Sequence, residues 1–137
     1  MKFTFKKDER LCSKKIMQQL FAKGRSFSEN PIRVVYLPVA LTGNYPVQIM
    51  ISVPKKKFKS AVTRNRIKRQ MREAYRLNKN VIYQHLKNKN QQLAVTLIFT
   101  GKEMVDYAQI EHKIILSLQR LVRNYGEATE LGNGTDN

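Results

Sequence analysis

Residues 61–78 read AVTRNRIKRQMREAYRLN, and the fold is built around this stretch. At about 100° per residue, four side chains of this stretch lie within about 60° of one another and form a narrow stripe on one side of a helix. The stripe contains Ile67, Met71, Ala74 and Asn78. The stretch therefore predicts a helix from about Ser60 to Asn78 that buries one face against a core.

The opposite face of this helix carries almost only positive charge. It is formed by Asn65, Lys68, Arg69, Arg72 and Arg76, with Arg64 and Arg66 flanking the apolar stripe. Glu73 is the one acidic residue there, whereas an ordinary solvated helix mixes both signs at four-residue spacing. Because arginine forks match phosphate geometry, this face predicts binding to a phosphate backbone.

The charge of the whole chain points to the same kind of partner. The 137 residues include 26 Lys and Arg against 10 Asp and Glu, a net charge of +16. Residues 55–79 alone hold eleven cations and one anion. Such an excess favours a polyanion, nucleic acid before an anionic membrane surface. Since the basic helix lies between predicted strands and not in a helix-turn-helix or zipper, RNA is favoured over DNA.

Working outward, helices and strands are predicted on both sides. Upstream are a helix from the Ser13 cap to Lys23 with Gly24 as its stop, strands over Ile32–Val39 and Val47–Val53, and room for a short strand near Arg25–Ser28. Downstream are Val81–Lys87 (more helix or a separate turn), a buried strand over Leu93–Thr100, and a helix from Asp106 to about Tyr125-Gly126. We expect the two long upstream strands to pair antiparallel because their connection is short. The order predicts an α+β sandwich with helices on a small sheet.

Several function classes are disfavoured by what the sequence contains. No apolar run approaches the roughly 20 residues of a membrane span, and the N-terminus has no signal-peptide core. The lone Cys12 fits a reducing cytoplasm. His85 and His112 have neither metal-ligand nor triad spacing, so no catalytic residue is expected in the protein. One domain is predicted over residues 1–125, with 126–137 as a disordered acidic tail that lacks Lys and Arg.

Two motifs make the pattern specific. Residues 52–56, SVPKK, and 61–76, AVTRNRIKRQMREAYR, resemble the signature of the bacterial ribonuclease P protein component. Its hallmark is Arg-Asn-Arg-x-Lys-Arg-x-x-Arg-Glu on a helix, after a strand that ends in a Lys-Lys loop. Residues 21–24, FAKG, resemble the family's early Phe-x-x-Gly. The resemblance covers about residues 5–125.

The resemblance implies a fold and a division of labour. The family's order is α-β-β-β-α-β-α, a single-domain α/β sandwich with a left-handed β-α-β crossover. In this enzyme a catalytic RNA removes the 5′ leader of precursor tRNA using Mg²⁺, and the protein is an accessory subunit without protein metal ligands that we can assign. The residues implied to face the RNA are Arg64, Asn65, Arg66, Lys68, Arg69, Arg72 and Arg76.

The resemblance also implies a cleft for the single-stranded leader between the first helix and the sheet. The cleft residues carried over are Met17, Phe21, Tyr36, Lys55 and Lys56. Aromatic rings there could stack on bases without demanding a sequence, although plain core packing is the alternative for Phe21 and Tyr36. The family often has an aromatic where this chain has Met17, so the grip on the leader is expected to be weaker there.

The implied partners are ribonuclease P RNA and precursor tRNA, with no membrane, no required protein partner and a cytoplasmic location. Two other readings of the basic surface stay open from sequence. One is a structural, ribosomal-type RNA-binding protein without an enzyme role. The other is a basic DNA-binding protein.

Overall fold

A computed structural model of the chain describes residues 4–131. After a short 3₁₀ turn at Lys7–Glu9, the elements are α1 (Lys14–Lys23), β1 (Arg25–Glu29), β2 (Ile32–Pro38), β3 (Val47–Ser52), α2 (Ala61–Asn78), α3 (Asn80–Asn88), β4 (Leu93–Phe99) and α4 (Tyr107–Leu131). The predicted α+β fold in the order α-β-β-β-α-β-α is confirmed. Helix α3 adds a separate helix where the sequence left a continuation or a turn open.

Local signals fix the helix ends. The Ser13 hydroxyl accepts a hydrogen bond from the Ile16 amide at 3.2 Å, and the Ser60 hydroxyl accepts one from the Thr63 amide at 3.3 Å. Both serines therefore act as N-caps, as the sequence predicts for Ser13. Gly24 ends α1 and lies against β2, where a Cβ atom would be 3.0 Å from the Val35 side chain. The missing side chain lets the chain pass directly from α1 into β1.

The four strands form one mixed sheet in the order β1-β2-β4-β3. Strand β2 is antiparallel to β1 and to β4, whereas β3 is parallel to β4. The predicted antiparallel pairing of β2 with β3 is therefore wrong, because β4 lies between them. Strand β4 is apolar along nearly its whole length, so it buries most apolar surface at the centre of the sheet, where both its faces are covered. The connection over residues 39–46 easily spans one intervening strand, a distance of about 10 Å.

Strands β3 and β4 are adjacent, parallel and joined through α2 and α3. This is the strand–helix–strand crossover that the resemblance implies, since parallel neighbours cannot be joined by a tight turn. Its left hand stays a prediction.

The sheet is covered on both faces. On one face, Ile32 and Val34 of β2 pack in the main core with α2, α3 and α4. On the other face, Val35 packs with Leu20 of α1 in a smaller cluster. Successive side chains of a strand point to opposite faces, so α1 lies on the far side of the sheet from α2.

Helix α4 begins after Asp106, whose carboxylate accepts a hydrogen bond from the Gln109 amide at 2.9 Å. It ends at Leu131, so the end predicted near Tyr125-Gly126 is placed too early. Glu, Ala and Leu in residues 127–131 favour helix, and one interior glycine costs only about 1 kcal/mol. The remaining part of the predicted disordered tail, 132–137, lies outside the described residues. Over residues 4–131, no helix is both long and apolar enough to cross a membrane.

Candidate nucleic-acid interface

Helix α2 presents its cations as the sequence predicts, on the side away from its buried stripe. The buried residues of the helix are Ile67, Met71, Ala74 and Tyr75. Of the seven predicted RNA-facing residues, four are exposed: Asn65, Arg66, Arg69 and Arg72. The other three, Arg64, Lys68 and Arg76, are half-buried. Asn78, which the helical stripe places in the core, is also half-buried and donates to the Ala74 carbonyl at 2.8 Å.

Arg64 is held by the loop that precedes its own helix. Its guanidinium donates to the carbonyl oxygens of Phe58 at 2.8 Å and Lys59 at 2.9 Å. These bonds satisfy two loop carbonyls and fix the end of the lysine-rich loop against α2. Arg64 therefore shapes the interface through the loop, and it presents less of its charge to a partner than Arg66 does.

Arg76 is committed to the one acidic residue of the helix. It donates to both carboxylate oxygens of Glu73, at 3.0 and 2.6 Å. The hydrogen bonds from Arg76 hold the pKa of the Glu73 carboxyl below its ordinary value, and the same pair raises the pKa of Arg76. The pair is partly exposed, so its main effect is to neutralise the single negative charge on this face.

Lys79, which ends the basic stretch, is not part of any surface. It is buried and donates to the Glu9 carboxylate and to the Thr4 carbonyl. Tyr83 donates to the same carboxylate at 2.7 Å. The ammonium also lies 5.8 Å from the centre of the Phe5 ring. This cluster ties the N-terminal segment to the junction of α2 and α3.

The environment of Glu9 explains its protonation state. Burial alone would raise the pKa of this carboxyl. Hydrogen bonds from Lys79, the Lys6 amide and Tyr83 outweigh burial and bring the pKa below its ordinary value. Glu9 therefore stays ionised, and burial among these neighbours raises the pKa of Tyr83. This pair could not be predicted from the sequence, because 69 residues separate Glu9 from Lys79 and no local pattern links them.

An apolar α1 surface, formed by Met17 and Phe21, lies on the opposite face of the sheet. Within α1, Leu20 is fully buried, while the next residue, Phe21, is 57% exposed. Met17 is half-buried and packs on the sheet cluster that includes Met50 and Ile98. Met17 and Phe21 are four residues apart, so they lie on one side of the helix. The structure therefore brings these two predicted cleft residues together.

The predicted position of Tyr36 in this cleft is wrong. Tyr36 is only 4% exposed and packs in the core shared with α2 and α4. Its ring meets that of Phe27 edge to face, with centroids 6.1 Å apart. The strand alternation puts Val35 and Leu37, and not Tyr36, on the side that α1 covers. A register error of one residue accounts for the mistake.

Lys55 and Lys56 are exposed in a turn directly after β3. In the same turn, the Lys57 amide donates to the Pro54 carbonyl at 3.3 Å, and the Lys57 ammonium donates to the Thr100 carbonyl at 3.3 Å. The turn is thus tied to the end of β4, with two lysines directed at solvent. Residues 54–57 therefore form a hydrogen-bonded turn.

A cavity of about 180 Å³ wraps the edge of β3 between the two layers. Its walls include Arg72 of α2, Arg10 and Cys12 of the N-terminal segment, and Met50. The Leu11 amide donates to the Ile49 carbonyl at 2.9 Å, which seats this segment on the strand edge. Arg10 was not predicted as an interface residue. It becomes a neighbour of Arg72 through this seating, which no spacing in the sequence reveals.

No group of three or more His, Cys, Asp or Glu side chains that could hold a metal occurs within residues 4–131. The chemistry of the described surface lies in its cations and in a few exposed apolar and aromatic side chains.

The sheet is mixed and covered on both faces, and one covering helix carries almost only positive charge on its outer side. These features define a small α+β protein of the polyanion-binding class. A family model described as Ribonuclease P matches residues 5–122. The chain therefore belongs to the ribonuclease P protein family.

Relatives and solved structures agree with this assignment. The ribonuclease P protein component of Porphyromonas gingivalis is 34% identical over 122 residues, covering 89% of each chain. That of Petrotoga mobilis is 35% identical over 121 residues, covering 86% of this chain and 95% of the relative. The RNase P protein of Thermotoga maritima superposes with a TM-score of 0.65 at 26% identity, covering 82% of this chain and 96% of the other.

Family membership confirms the main functional prediction. The chain is a subunit of the ribonucleoprotein endoribonuclease ribonuclease P, acts in tRNA 5′ processing and associates with ribonuclease P RNA.

Proposed function

We propose that the two faces of the sheet bind two different RNAs. In this proposal the exposed row of α2, with the neighbouring Lys68, binds ribonuclease P RNA. The α1 surface, with Met17 and Phe21, binds the 5′ leader of precursor tRNA, and Lys55 and Lys56 neutralise its phosphates. The observation that carries the leader site is Phe21, an aromatic side chain left 57% exposed beside a fully buried Leu20.

The chemistry of the α1 surface suits a leader of any sequence. A ring such as Phe21 can stack on any base, worth about 1–3 kcal/mol per base. The Met17 thioether adds a polarizable apolar contact without a hydrogen-bond pattern. Neither side chain reads base edges, so discrimination would rest on the presence of a single strand.

The catalytic step stays with the RNA in this proposal. Mg²⁺ serves the RNA, and we assign it no protein ligand. The protein's cations screen the repulsion between two polyanions, the catalytic RNA and the precursor tRNA. A cytoplasmic location, where both RNAs are made in bacteria, belongs to the same proposal.

The leader site is tested by comparing precursor and mature tRNA binding to the holoenzyme. With Phe21→Ala, we expect the preference for precursor over mature tRNA to fall about tenfold, because one stacking contact is lost. Assembly with the RNA should be unaffected. Val81→Ala is the matched control, since Val81 is also an exposed apolar side chain but lies on α3. An unchanged preference in folded Phe21→Ala would remove this side chain from the leader site.

A further inference from the structure

A second surface feature lies between α2 and the start of α4. It is a groove of about 280 Å³ lined by Arg66, Arg69, Gln70, Glu73 and Tyr107. The α2 members recur three and four residues apart, so they form one row facing Tyr107. This volume is just below the range of ligand pockets, about 300–1,000 Å³, and suits one flat ring rather than a large ligand.

The groove walls differ in chemistry in a way that fits a nucleotide. Tyr107 is half-buried and packs on the main core, so its ring is held in place. Its hydroxyl lies 3.5 Å from the Glu111 carboxylate, further along α4. Arg66 and Arg69 are exposed and offer guanidinium forks to phosphate. The carboxylate of Glu73 is neutralised by Arg76, so it does not repel an incoming phosphate strongly.

Gln70 supplies a neutral hydrogen-bond acceptor, which neither Arg66 nor Arg69 offers. Its side-chain oxygen Oε1 is buried and has no hydrogen-bond partner among residues 4–131. A buried acceptor without a donor is costly, and most are satisfied in folded proteins. An amino group on a base edge is a donor of suitable size. Adenine, cytosine and guanine carry such a group, and uracil does not.

We propose that this groove binds a single unstacked nucleotide of ribonuclease P RNA. Its base stacks on Tyr107 and donates an amino hydrogen to Gln70 Oε1, which turns toward the groove on binding, while Arg66 and Arg69 hold the adjoining phosphates. The inference rests on the proposed function of α2, and it adds a base-recognition subsite to a surface otherwise explained by charge. It also makes Tyr107 and Gln70 RNA-binding residues that sequence analysis did not select.

The test measures the affinity of the full-length protein for its cognate ribonuclease P RNA across a salt series. Tyr107→Leu keeps the apolar contact with the core and removes the ring. We expect it to weaken binding about tenfold with an unchanged salt dependence, because no cation is lost. Arg69→Gln should weaken binding and lower the salt dependence. Tyr45→Leu is the matched control, since Tyr45 is half-buried against Tyr83 and does not line the groove.

A second variant guards against a loss of folding in Tyr107→Leu. Gln70→Ala removes a half-buried amide from α2 and should weaken binding about threefold to tenfold, with one base losing its chemical protection in the complex. Replacement of that base by uracil should weaken binding of the wild type but not of Gln70→Ala. If Tyr107→Leu and Gln70→Ala bind like the wild type while Arg69→Gln does not, the subsite is overturned and the α2 interface stands. If all three bind normally, the α2 interface itself falls.

Discussion

At the scale of single residues, the basic stretch contains cations with three different roles. Arg66, Arg69 and Arg72 are exposed on α2. Arg64 holds loop carbonyls, and Lys79 is buried against Glu9. Formal charge counts all of them alike, although only an exposed cation can exchange its counterions for RNA phosphates. The surface therefore has fewer RNA-facing charges than the sequence suggests.

This distinction predicts a salt dependence. Replacing Arg66, Arg69 and Arg72 together by Gln should weaken binding to ribonuclease P RNA and reduce the slope of log K against log salt by about 2–3, since each phosphate contact contributes about 0.7–0.9. Filter binding or fluorescence anisotropy over a salt series measures the slope. The control replaces Lys87, Lys102 and Arg123 by Gln, which are exposed elsewhere and change the net charge equally. Equal slopes in the two triple variants would show that net charge, and not the α2 row, determines binding.

At the scale of elements, the N-terminal segment is held to α2 and α3 by one buried ion pair. Glu9 and Lys79 are both almost fully buried, and Tyr83 completes the cluster. Breaking a buried pair from one side leaves an uncompensated charge, which costs about 3–5 kcal/mol. Glu9→Gln should lower the free energy of unfolding by that amount in urea denaturation. Glu9→Leu with Lys79→Met should recover most of the loss, because two apolar side chains leave no buried charge.

The same pair makes the stability of the fold depend on pH. The pKa of Glu9 is lowered in the folded state, so the unfolded state binds the proton more readily. Its contribution is present above the unfolded pKa of about 4.3 and is lost as the pH falls through the folded value. Melting temperatures of the wild type should therefore drop below about pH 4 more steeply than those of the Glu9→Leu/Lys79→Met variant. Parallel profiles would contradict this role for Glu9.

Most elements could be predicted because their signals are local. Serine caps, Gly24 and the helical stripe of α2 each act within a few residues, and those elements lie where expected. Strand order depends instead on which strand buries most apolar surface at the centre of the sheet. That competition between β3 and β4 is decided by the whole sheet, so the short connection after β2 was misleading. The one-residue error at Tyr36 has a similar origin, because β2 is apolar on both faces and its alternation is weak.

At the scale of the whole molecule, the layers separate the two surfaces that we propose bind RNA. Helix α2 lies on one face of the sheet and the α1 surface on the other. The cavity at the β3 edge is lined by residues that include Arg10 and Arg72. A net charge of +16 on a protein of this size favours association with polyanions. The shape and charge together suit a protein that brings a substrate RNA to a catalytic RNA.

The most direct test is cleavage of a 5′-extended precursor tRNA by the cognate ribonuclease P RNA at low Mg²⁺, with and without the protein. We predict that the protein stimulates cleavage at the mature 5′ end and lowers the Mg²⁺ concentration required, because its cations supply part of the screening. The triple Gln variant of Arg66, Arg69 and Arg72 should need more protein for the same stimulation. Tight binding to the RNA without any stimulation at low Mg²⁺ would contradict the account.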